Sequence, residues 1–198
     1  MNARLNRFVV DASQGNRCLG WVGDRESCLQ FLVDFNRNID TLIETHGTES
    51  VATSVWALYM GSHVLHSAFD PAAVDDIALI FSSMETLYGN GFAAHCPNRL
   101  HYFDDLATAA YMLWDMSSLE YLSFRDDQSL HIPLGKLFDF GLSHNHAVVQ
   151  ESFLHGLGHR QSDHPDFVDH RLAEFLCRTD ISEEIRCYAK QCVTGRIQ

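Results

Sequence analysis

The residues best suited to chemistry in this chain are its histidines. Twelve occur in 198 residues, and six of them fall between positions 144 and 170. On a helix, Glu151, His155 and His159 recur at i, i+4 and i+8 and share a face opposite an apolar stripe of Val149, Phe153 and Leu157. Imidazole and carboxylate groups in that register can ligate a metal or relay a proton. Two features weigh against a metal. The His-Glu-x-x-His arrangement is absent, because Gly156 and Leu157 follow His155. Gly156 and Gly158 also lower helix propensity, which predicts a helix that has ended before His159. No metal ligand, catalytic residue or cofactor is therefore assigned.

A second stripe lies on a helix expected from Tyr102 to Ser117. Phe103, Leu106, Ala110, Leu113 and Trp114 form its core side, and Asp104, Thr108, Tyr111 and Asp115 the opposite side. Carboxylates around an aromatic ring suit an Arg or Lys from a protein partner. The expected partner-binding residues are Asp104, Tyr111, Asp115, Glu151 and His155. Other chemistries lack their signatures. Gly-x-Ser-x-Gly, a phosphate loop and Gly-x-Gly-x-x-Gly are all missing. In Gly61-Ser62-His63 and Ser143-His144 the serine and histidine are sequence neighbours, which do not face each other on a helix. Asp126-Asp127 reads as a solvated turn.

Composition narrows the partners. The net charge is -12 and the pI near 5.3, which opposes nucleic acid, bound mainly through Lys and Arg, and steers toward a basic protein surface. The six cysteines, Cys18, Cys28, Cys96, Cys177, Cys187 and Cys192, include no Cys-x-x-Cys pair. Phe8-Val9-Val10 is too short for a signal-peptide core, so free thiols and a cytoplasmic setting are expected. Ser50 to Phe69 carries no Lys, Arg, Asp or Glu, but its Thr, Ser and His content predicts a helix buried among helices rather than a membrane span.

These stripes need helices to carry them, and helical periodicity runs throughout. Helices are expected over 25–45, from Thr48 to about His66, and from an Asp70-Pro71 start to Gly89-Asn90-Gly91. A loop should cover 92–101. Further helices follow Pro133, surround Phe153, start at Ser162-Asp163-His164-Pro165, and follow a capping box of Asp180 and Glu183. No strand pattern appears. The fold class is all-α: antiparallel helix pairs stacked in one domain over 1–198.

Residues 144–198 resemble HEAT-type repeats. The run Ala147-Val148-Val149-Gln150-Glu151-Ser152-Phe153-Leu154-His155-Gly156-Leu157-Gly158-His159 is similar to the second helix of a repeat, Phe167 to Cys177 to the next first helix, and Glu184-Ile185-Arg186-Cys187-Tyr188-Ala189 to the recurring signature. With Tyr111-Met112-Leu113-Trp114-Asp115, this tail also resembles small bacterial HEAT-like proteins. The resemblance implies a short α-solenoid, with degenerate helix pairs over 23–143. Two enzyme groups on such repeats fit poorly: deoxyhypusine hydroxylase needs His-Glu dipeptides, of which there are none, and DNA glycosylases need a basic face. The bilin lyases have no specific motif here. The expected function is thus a non-catalytic, acidic protein-binding module, most specifically a bacterial immunity protein that masks a basic toxin domain. An adaptor or regulatory scaffold is the alternative within binding proteins. A small metal-dependent enzyme using Glu151, His155 and His159 is the alternative of a different class.

Overall fold

A computed structural model describes residues 2–16, 23–60, 62–69, 74–124, 128–195 and 197. Cys18, Gly61, Asp70-Pro71 and Asp126-Asp127 lie outside them. The described residues are all-helical, without strands. The helices are α1 (Ala3–Ser13), α2 (Arg25–Arg37), α3 (Ile39–His46), α4 (Thr48–Tyr59), α5 (His63–Phe69), α6 (Val74–Thr86), α7 (Ala93–His95), α8 (Asp105–Met112), α9 (Ser118–Ser123), α10 (His131–Ser143), α11 (Ala147–Arg160), α12 (Pro165–Cys177) and α13 (Glu183–Cys192). A π-helical segment, Leu87–Phe92, joins α6 to α7.

The helices pack in two rows. One runs α1, α4, α8, α11, α13, each touching the next, and the other runs α5, α2, α6, α10, α12. Contacts such as α10 on α11 and α12 on α13 tie the rows together. One continuous apolar core fills the space between. One chain of paired polar groups crosses it. The Tyr59 hydroxyl donates to Asn36 Oδ1 at 2.7 Å, and Asn36 Nδ2 donates to Ser83 Oγ at 2.9 Å, linking α4, α2 and α6. Buried polar groups satisfied in this way specify one packing without a desolvation penalty.

Several boundaries differ from the periodicity. The helix expected over 25–45 breaks at Asn38, whose backbone N and side-chain Nδ2 both donate to the Asp34 carbonyl. The one expected from Thr48 to His66 is divided, and Ser62 Oγ accepts from Leu65 N at the start of α5. No helix among the described residues is long and apolar enough to cross a membrane. Gly89-Asn90-Gly91 does not end its helix; the chain continues through the π segment. A Cβ on Gly91 would stand 2.8 Å from Ile39, so this glycine serves close approach rather than a stop. Ser182, not Asp180, caps α13 by accepting from Ile185 N; Asp180 pairs with Arg178 at 2.7 Å.

Candidate metal centre

α11 lies between α8 and α13 in its row and also packs against α10 and α12. From Ala147 to Gly158 every residue is buried, including Gln150, Glu151, Ser152 and His155. A helix covered on all sides must supply partners for its polar groups. Ser152 Oγ donates to the Ala110 carbonyl and lies 3.0 Å from the Tyr88 hydroxyl, which fixes α11 to α8 and to the π segment. Gly156 allows the close approach: a Cβ there would stand 2.6 Å from Trp114 Cβ. This packing carries the helix past its glycines to Arg160, so His159 lies inside α11, contrary to the helix end predicted from propensity.

Trp114 precedes Asp115, in the turn that follows α8. That turn brings the Asp115 carboxylate to the two histidines. Asp115 Oδ1 is 3.4 Å from His159 Nε2, Asp115 Oδ2 is 3.7 Å from His155 Nε2, and the two imidazole Nε2 atoms are 3.1 Å apart. The three donors lie within 4.8 Å of one another. His155 is buried, whereas His159 and Asp115 keep 33% and 28% of their side chains exposed. Burial, reinforced by the neighbouring His159, pulls the His155 pKa down to about 4 against the opposing effect of Asp115. His155 is therefore neutral near pH 7, as a ligand must be.

The ring is held from behind. His155 Nδ1 lies 2.9 Å from the Tyr188 hydroxyl, which lies 3.2 Å from the Tyr111 hydroxyl. Tyr111 stacks on the His155 imidazole with centroids 3.9 Å apart. Burial pushes the Tyr188 hydroxyl well above the ordinary tyrosine range, so it stays protonated and can both donate and accept. One turn earlier on α11, Glu151 Oε1 lies 2.8 Å from His101 Nδ1, and Glu151 Oε2 accepts from His101 N at 3.1 Å.

The two sequence stripes thus face each other. Tyr111 and Asp115 turn toward Glu151, His155 and His159 instead of toward solvent. Glu151 and His155 are only 3% and 2% exposed and present no surface to a partner. Asp104 stands apart from the cluster as the N-cap of α8, accepting from Ala107 N at 2.7 Å. Phe103, assigned to the core from periodicity, is 57% exposed because α8 begins only at Asp105. Sequence reasoning missed His101, which lies in a loop without periodicity. It named Tyr188 only within the repeat-like run Glu184 to Ala189 and gave its hydroxyl no task. A cleft of about 660 Å³ lies elsewhere, between α10 and α12, where Arg171 is already paired with Asp139. The described cysteines, Cys28, Cys96, Cys177, Cys187 and Cys192, are free thiols. The chain matches no protein-family model, and neither a curated protein nor a solved structure is similar to it beyond chance.

Proposed function

We propose that this chain is a metalloprotein that holds one divalent transition-metal ion on Asp115, His155 and His159, with open coordination positions toward solvent. The observation that carries this reading is the spacing of the donors. Tetrahedral ligands about 2.0–2.1 Å from an ion are separated by about 3.3–3.4 Å. The closest approaches here, 3.1 Å between the imidazoles and 3.4 and 3.7 Å from them to the two different Asp115 oxygens, lie near that edge, and with one donor atom per residue all three lie within 4.8 Å of one another. Two imidazoles and one carboxylate form the set that zinc and iron(II) sites use when other ligands must come and go. The partial exposure of Asp115 and His159 gives such ligands a route in.

The bound ion would act as a Lewis acid toward a water or a substrate oxygen. The protein's own residues do the rest. Tyr188 fixes the His155 ring and, by occupying Nδ1, leaves Nε2 facing the ion position. Tyr111 covers the imidazole and keeps water from its face. A small metal-dependent enzyme of the hydrolytic type is the activity this arrangement supports best. The test is metal content. Protein dialysed against zinc and then against metal-free buffer should retain one equivalent. His155→Ala and Asp115→Asn should each lose ~100-fold or more in affinity, beyond the range seen when only an outer partner of a ligand is removed. Zinc uptake below a tenth of an equivalent by the wild-type protein, or full uptake by His155→Ala, ends the proposal.

The two rows support a short HEAT-like α-solenoid as the architecture. α10 stacks on α12 and α11 on α13, like on like, as neighbouring repeats do. A second functional reading, binding of a basic protein such as a toxin domain, is favoured by the charge of -12 and by the exposed Phe103, Met116, Tyr121 and Ile132. Association with such a partner should slow markedly with added salt.

A further inference from the structure

α11 buries four polar side chains, and three of them have partners: Glu151 on His101, Ser152 on the Ala110 carbonyl and His155 on Tyr188. Gln150 is the exception. It is 4% exposed, yet its amide meets no hydrogen-bonding group among the described residues. Buried amides without a partner are costly and rare, so such a group calls for one from outside the chain. Gln150 lines a cleft of about 360 Å³. Neither of its amide atoms is sealed from solvent, so the tip of the side chain faces that cleft.

Two helices start at the same cleft. α11 and α13 pack side by side, and Ala147 of the one and Ser182 and Ile185 of the other stand in its walls. A helix start carries N–H groups without partners inside the helix and a partial positive charge. In α13, Ser182 Oγ takes only the Ile185 N–H, which leaves those of Glu183 and Glu184 without a partner in the helix. The walls are braced by the chain itself. Asn98 Oδ1 accepts from Ala147 N at 2.7 Å, and Arg178 Nη2 donates both to Asn145 Oδ1 at 3.1 Å and to Asp180 Oδ2 at 2.7 Å.

Three ionic side chains line the cleft: Arg99, Asp180 and Glu184. Arg178 neutralises Asp180. Arg99 lies over the Tyr102 ring at 4.7 Å, and neither Arg99 nor Glu184 has an ionic partner among the described residues. A simple anion entering here meets Glu184, and a simple cation meets Arg99. A zwitterion satisfies both. The Gln150 amide adds a second requirement. It donates and accepts at once, and another primary amide matches it in both senses.

We propose that this cleft binds a free α-amino acid whose side chain ends in a carboxamide. The ligand carboxylate takes Arg99 and the open N–H groups of α13, its ammonium takes Glu184, and its carboxamide pairs with Gln150. Ile181 and Ile185 supply apolar wall for the methylene stem. The site owes nothing to the ion position, and its fate is separate from that of the metal reading.

The test is a titration of the zinc-free full chain with L-glutamine and L-asparagine, followed by calorimetry and by NMR. At least one of the two should bind one-to-one with a Kd of about 1 mM or tighter. The matching acid, glutamate or aspartate, leaves the Gln150 carbonyl without a donor and should bind about tenfold more weakly. Arg99→Gln and Glu184→Gln should each weaken binding about tenfold or more, the weight of one charge-assisted hydrogen bond. Both side chains are exposed, so neither change should disturb folding. Glu183→Gln is the control: Glu183 pairs with Arg186 and Lys190 and is not in the lining, so affinity should stay as in the wild type. The side-chain NH₂ signals of Gln150, assigned by their loss in Gln150→Leu, should shift as the ligand is added. No binding of either amide up to about 10 mM overturns the site and leaves the Gln150 amide to an ordered water. Equal affinity for amide and acid, affinity kept in both Arg99→Gln and Glu184→Gln, or Gln150 signals that stay in place while the ligand binds, overturns it as well.

Discussion

Gly156→Ala tests whether the approach of α11 to Trp114 sets the geometry of the candidate site. Within a helix this exchange should stabilise, since glycine is about 1 kcal/mol worse than alanine. Here the added methyl would stand 2.6 Å from Trp114 Cβ and 2.9 Å from its Cγ. Carbon atoms in contact prefer about 3.5–4.0 Å, so something must retreat by about 1 Å. Trp114 is fully buried, with Phe138 at 4.7 Å and Phe153 at 5.6 Å between ring centroids, and its Cβ is tied to the backbone. Overpacking usually costs about 1–3 kcal/mol, and against an atom that cannot swing away it lies near the upper end, about 2–3 kcal/mol, which outweighs the propensity gain. The net loss should be about 1–2 kcal/mol, or a Tm lower by about 2–8 °C for a chain of this size. The turn holding Asp115 moves with Trp114. Metal ligands tolerate about 0.2 Å, so zinc affinity should fall at least about tenfold. Urea denaturation and zinc titration measure the two effects. Gly89→Ala is the control: its nearest atom would be Phe140 Cζ at 3.9 Å, and it should lose no stability. A Gly156→Ala protein as stable as the wild type would refute the packing argument, and one that is destabilised yet binds zinc normally would refute its link to the site.

Tyr188→Phe removes the hydroxyl beside His155 Nδ1 and Tyr111; it should cost about 1–3 kcal/mol by leaving buried groups unpaired and lower zinc affinity about 10–100-fold, with unchanged affinity counting against Tyr188 as the orienting group. Acid should destabilise the metal-free protein. Burial lowers the pKa of His144, His146 and His155, the last to about 4, so the unfolded chain binds more protons and stability present above about pH 6.5 is lost as pH falls toward 4. His155 alone accounts for up to about 3 kcal/mol of that loss, while Glu151, whose carboxyl burial pushes up, offsets part of it; urea midpoints that stay level between pH 7.5 and 5 would contradict the neutral buried histidines. Asp104→Ala should cost about 1 kcal/mol as a lost N-cap, and Asp104→Asn much less; equal losses would point to the charge rather than the cap.

Much of the fold was legible in the sequence, because apolar periodicity is a local property. It marked the all-α class, the helices that correspond to α2, α6, α12 and α13, and the start of α12 at Pro165. It failed where a contact with a distant residue outweighs propensity. Gly91 packs on Ile39, so the helix runs on. Gly156 packs on Trp114, so α11 keeps His159 in register with His155. Phe103 reads as an inward residue until the Asp104 cap moves the start of α8 beyond it.

The candidate site divides in the same way. The sequence alone aligned Glu151, His155 and His159 on one helix face, and Tyr111 with Asp115 on another, since each alignment needs only 3.6 residues per turn. Periodicity can show that a polar stripe is not core, but it cannot distinguish solvent from a second polar stripe as its neighbour. Only the packing of α8 against α11 decided that. It turned two expected surface patches into one half-buried cluster, brought a carboxylate to two imidazoles 40 and 44 positions away, and placed the Tyr188 hydroxyl behind one of them. The energy that holds those donors together comes from the apolar groups around Trp114, Phe138 and Phe153, whose mutual fit is a property of the assembled helices and of no single segment.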